Sequence, residues 1–175
     1  MRALLLLAAL AVLPACPTDE SCGPSDAVGD GLVLAGSGVN IRYHDLHAGA
    51  NNDCPDAAAP EGVVSLTIAG IQVGGSDGIT FCVPRPDLLA DPLPLGTGIE
   101  IVDIGAAADG CTYVRNTVQA PGGTANAEGI CMNGTDPAGF AFVVNGQVSV
   151  DRTCNGNPTE TLRLDLTGVV SVVSP

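Results

Sequence analysis

Leu162-Arg-Leu-Asp-Leu-Thr-Gly168-Val169 places leucine at every second position with polar side chains between, then breaks the alternation with a glycine. A side-chain period of two belongs to a strand with one buried face, whereas a helix needs apolar residues three and four apart. The same phrase recurs without gaps at Val64-Ser-Leu-Thr-Ile-Ala-Gly70-Ile71 and at Phe140-Ala-Phe-Val-Val-Asn-Gly146-Gln147. In each copy, three side chains on one face precede a glycine and further strand-like residues, which is how a bulge or a tight reversal inside a long ribbon is written. The three copies are unequally spaced. That excludes a solenoid of fixed period and leaves shared strand physics as the reason for the likeness.

Outward from these segments the chain reads the same way. Val39, Ile41 and Tyr43 alternate with Asn40, Arg42 and His44, and further short strands are expected at 79–83, 99–104, 112–118 and 129–132. Turns are expected at Gly74 to Gly78, at Ala120 to Gly123, and at the Asn-Gly pairs that begin at 133, 145 and 155. No window from Gly31 onward carries a helical period. Eight or nine short strands predict an all-β domain, an antiparallel β-sandwich, with a closed β-barrel as the alternative. An outer-membrane barrel is disfavoured, since five Phe and Tyr and no Trp cannot furnish aromatic girdles.

The amino-terminal segment has a different composition. Met1 and Arg2 precede an unbroken apolar run from Ala3 to Leu13, which suits a signal-peptide core and is too short to span a bilayer. The run ends in Leu13-Pro14-Ala15-Cys16, which resembles the lipobox of bacterial lipoproteins. The resemblance covers residues 1–16 only and implies signal removal, lipidation of Cys16 and acylation of the new amino terminus. It also favours the outer membrane, because Pro17 is not the Asp that resembles an inner-membrane retention signal. The expected organisation is a signal peptide at 1–15, an acylated tether rich in Pro, Asp, Ser and Gly at 16–30, and one domain at 31–175.

Cysteine arithmetic points the same way. Seven cysteines leave one over in an exported chain. With Cys16 given to lipid, Cys22, Cys54, Cys82, Cys111, Cys131 and Cys154 can close three disulfides. Consecutive pairing (22 with 54, 82 with 111, 131 with 154) and cross-strand pairing such as Cys82 with Cys131 both fit the pattern. Zinc does not, because the paired C-x-x-C knuckle is missing.

The formal charge of −13, with no lysine at all, argues against nucleic acid and anionic lipid headgroups as partners. Scarcity of rings disfavours a stacking platform for sugars or bases. Gly74-Gly-Ser-Asp-Gly78 matches the hydrolase nucleophile motif in letters, but Ile79-Thr-Phe-Cys-Val follows it as a strand where a helix is required. Both histidines lie in Tyr43-His44-Asp45-Leu46-His47, so a metal role starts with His44 and His47 and draws on Asp45, Asp53 or Asp56; a regular strand would send the two rings to opposite faces. The oxygen-rich stretch Asn51 to Asp56 is a candidate for structural calcium, with Asp103 and Asp109 next in order. No catalytic residues and no required cofactor are expected. The reading is a membrane-anchored lipoprotein that works by structure or by binding an unknown protein or small ligand. A calcium-stabilised adhesion-type domain is the alternative, followed by a metal-assisted hydrolase.

Overall fold

A computed structural model describes residues 31–51, 65–83, 91–133 and 136–173. They form ten strands and no helix: β1 Gly31–Gly36, β2 Val39–Asn51, β3 Ser65–Gln72, β4 Gly78–Val83, β5 Leu93–Pro94, β6 Glu100–Ala108, β7 Cys111–Arg115, β8 Gly122–Asn133, β9 Asp136–Cys154 and β10 Glu160–Val173. Antiparallel pairing runs β1, β2, β3, β4, β6, β7, β9, β10 and returns to β1. The sheet therefore closes into an eight-stranded barrel, with β8 and β5 added outside that circuit. The expected sandwich is corrected to the barrel alternative. β1 is the reason: it pairs with β2 on one edge and β10 on the other, so among the described residues the eight-strand circuit has no edge at which two sheets would part.

The strands are also longer than the expected short ones. β9 and β10 pair from Glu160 opposite Arg152 to Val173 opposite Gly139 without a register shift. The glycines in the recurring phrase lie inside these ribbons and none is a reversal. A side chain at Gly146 would collide with the Gly122 carbonyl oxygen and the Leu95 side chain, and one at Gly168 would meet the Gly31 carbonyl oxygen. Each glycine lets a neighbouring backbone pass close as the strand curves around the barrel. Asn145-Gly146 is thus corrected from a turn to mid-strand. Of the other expected turns, 73–77 joins β3 to β4 and Asn155-Gly156 joins β9 to β10, whereas Gly122 and Gly123 of the turn expected at 120–123 lie in β8, and Gly134 lies outside the described residues. β7 stops at Arg115, earlier than expected, because the Asn116 side chain accepts the Val118 amide at 2.9 Å and starts an Asx turn.

Side chains fill the interior. Tyr43, Phe81, Phe142, Leu32, Leu34, Ile68, Ile79, Ile99, Ile101, Ile104 and Leu164 are fully buried, and Phe81 meets Phe142 edge to face with centroids 5.2 Å apart. Asn145, Gln147, Asp165 and Thr167 point outward. This apolar interior and polar exterior reverse the arrangement of a membrane-spanning barrel.

Candidate functional site

Two bulges decide what the exterior of the barrel presents. In β6, Thr80 opposes Asp103 and Phe81 opposes Ile101, so Val102 is the extra residue and is turned out to solvent. In β2, His44 pairs with Ile71 and His47 with Ala69, leaving Asp45 and Leu46 together opposite Gly70. Asp45 takes a left-handed conformation, φ 51°, and Leu46 turns inward over Gly70, where an added side chain would meet Leu46 Cδ1 at 2.6 Å. Tyr43, Leu46 and Ala48 are buried, while His44 and His47 stand on the outside.

The bulge thus corrects the expectation for a regular strand: both histidines share one face. His44 Nδ1 lies 2.6 Å from Asp45 Oδ2, with the two side chains 39% and 63% exposed. Asp53 and Asp56, with the rest of that acidic stretch, lie outside the described residues. Asp103 and Asp109 are six residues apart along a strand that rises about 3.3 Å per residue, so they do not converge. Asp109 serves the β6–β7 turn, with φ 53°. Among the described residues no three His, Cys, Asp or Glu side chains gather as a metal cluster.

A shallow groove crosses the outside of β1, β10, β9 and β8, lined by Ala35, Gly122, Asn145, Gln147, Asp165 and Thr167. Register explains it, since Ala35, Asp165, Gln147 and Gly122 form one cross-strand row whose ends carry little or no side chain. Gln147 donates to Asp165 at 2.8 Å. Beside the groove, the 116–121 crossover is tied down by Arg163, which donates to the Ala120 carbonyl at 3.0 Å and to Ser149 Oγ at 3.2 Å. Asp151 accepts from Thr161 at 2.6 Å and Asn116 at 2.8 Å, bonds that hold its carboxyl below the usual carboxylate range. Arg152 pairs with Glu160. These groups form separate local hydrogen-bonded sets along the outside of β9 and β10.

Two buried polar side chains serve the fold. Gln72 donates to the Ala107 carbonyl and accepts from the Ala107 amide, both at 2.8 Å, and so completes β6 where β4 has ended. Tyr43 donates to the Gly105 carbonyl at 3.2 Å. Burial, reinforced by Asp103 and Asp77, pushes its phenol well above the ordinary tyrosine value. Ser76 sits in the β3–β4 hairpin, without the strand-to-helix elbow that a nucleophile requires.

Of the cysteines, Cys111 and Cys154 face each other across β7 and β9 and are joined, with Cα atoms 4.0 Å apart. This overturns the consecutive pairings of 82 with 111 and 131 with 154. Cys82 is also disulfide-bonded. Cys131 lies on β8 opposite Gly139. Cys16, Cys22 and Cys54 lie outside the described residues. The bulge at Asp45 is what sequence reading missed. Its one signal is an interrupted alternation, since Leu46 is apolar where the period places a polar residue.

No family model matches the chain, and no curated protein or solved structure matches it either.

Proposed function

We propose that the protein is an exported lipoprotein, anchored through acylated Cys16 with the outer membrane favoured, that displays a barrel whose outer surface does the binding. The observation that carries the second half is the filled interior. Among the described residues, Tyr43, Phe81 and Phe142 pack into the interior with the surrounding Ile and Leu, in contrast to barrels that hold a small molecule inside. Contact with a partner then falls to the exterior, where the groove beside Asn145, Gln147, Asp165 and Thr167 offers amide, carboxylate and hydroxyl groups. These suit a hydrophilic protein surface or a small polar ligand. A polyanion is disfavoured by the charge of −13. The sequence Leu13-Pro14-Ala15-Cys16 supports the anchor, and two or more acyl chains give stable attachment.

Intact mass of the membrane-extracted protein tests the anchor. The expected species begins at Cys16 and carries the added mass of a diacylglyceryl group and an amide-linked acyl chain. A chain that retains residues 1–15, or one with an unmodified Cys16, overturns it.

A further inference from the structure

The β2 bulge gives the two histidines a shared face that regular strand spacing would not. Because His44 pairs with Ile71 and His47 with Ala69, the two residues occupy successive outward positions on one face. Their Cα atoms then stand about 7 Å apart, two strand rises, although they are three positions apart in sequence. Two imidazoles so placed can reach one ion at the ~2.0–2.1 Å of a metal–nitrogen bond. Without the bulge the same residues would face opposite sides of the wall.

Asp45 contributes the second observation. Its carboxylate lies 2.6 Å from His44 Nδ1, which fixes that nitrogen as the protonated one and leaves the Nε2 lone pair as the donor. A carboxylate on the far nitrogen orients a ligating ring and raises its basicity. Glycine would take the φ of 51° at this position with less strain, but it brings no carboxylate.

We propose that His44 and His47, with Asp45 positioning His44, form an exterior binding site for one borderline divalent transition-metal ion. Copper(II) is the tightest of the series. Imidazole suits copper, nickel and zinc, whereas calcium and magnesium prefer oxygen donors. Two protein nitrogens leave the remaining coordination positions to water, so the site is open and of moderate affinity. Ile71, half exposed and directly opposite His44, flanks it on β3. The acidic chain raises the local concentration of any cation. The inference is independent of the lipid anchor.

The test is a titration of the full-length chain with copper(II) alone, followed by calorimetry and by electron paramagnetic resonance for coupled imidazole nitrogens. One ion bound with two imidazoles is expected. His44→Gln and His47→Gln should each raise Kd about tenfold or more, and Asp45→Asn about tenfold. Melting temperatures should stay level, since the histidines are on the surface. Unchanged copper affinity in the double variant His44→Gln/His47→Gln overturns the site, as does a signal from a single imidazole. Calcium bound with equal affinity and lost in the same double variant overturns the metal class. An unchanged Kd in Asp45→Asn overturns the positioning role of Asp45.

Discussion

The two sides of this barrel are built by different means. The β9–β10 ribbon pairs continuously from end to end, and its outward side chains repeat faithfully every second residue. The wall formed by β2, β3, β4 and β6 contains two bulges, a left-handed aspartate, and a glutamine side chain standing in for a missing strand. The ribbon buys regularity with glycines, whose missing side chains make room for a neighbouring backbone. The irregular wall accommodates its curvature by inserting residues, and each insertion turns a new group outward: Val102 in β6, and His47, onto the face of His44, in β2. The histidine pair therefore sits on the irregular side, while the groove beside Gln147 and Asp165 sits on the regular one.

The sharpest way to break this contrast is through the core that the two walls share. Phe142→Ala on the ribbon and Phe81→Ala on the bulged wall should each cost about 3–5 kcal/mol in denaturant unfolding. The double variant should show a coupling of about 0.5–1.5 kcal/mol, because the rings meet edge to face. Additivity would mean that the walls are energetically separate.

Glycine substitutions compare the walls directly. Gly146→Ala drives a methyl into the Gly122 carbonyl oxygen, a backbone atom that cannot rotate away, and should cost about 3 kcal/mol. Gly70→Ala meets chiefly the Leu46 side chain, which can change rotamer, and should cost about 1 kcal/mol. Equal costs by chemical denaturation would remove the claim that the bulged wall adapts more readily.

A smaller effect lies in pH. Tyr43 has its pKa raised by folding, so the neutral form is favoured in the native state. Its contribution is complete below the unfolded value near pH 10 and declines as pH rises toward the folded value. Stability should fall by about 1.4 kcal/mol per pH unit in that window, one proton being released on unfolding. Tyr43→Phe should lose about 1 kcal/mol at neutral pH with its hydrogen bond to Gly105, and should lack the alkaline decline. The same alkaline slope in both proteins would show that Tyr43 is not its source.

The regular side was the legible one. Leu162, Leu164 and Leu166 announce a strand with one buried face, and burial follows that alternation. What alternation does not convey is how far a strand continues, so Asn145-Gly146 reads as a turn although β9 runs through it. Closure was equally hidden, because a short β1 paired to two strands looks no different in sequence from an edge. At the candidate site, His44 and His47 were visible as a cluster, but their shared face depends on one aspartate entering a rare backbone region. The Gln72 bond to Ala107 links residues 35 apart, which no local pattern records.

β1 carries one further consequence, and it concerns time. Gly31 pairs with Val169 and Ala35 with Asp165, so the strand that opens the described domain is held by the one that ends it. Contacts of such sequence separation must pay a large loop-closure entropy before they return any burial, and chains dominated by them fold slowly. A nascent chain lacking β10 has no complete wall to shut. The described barrel stays unclosed until β10 is in place, so closure is a late event in the life of the chain.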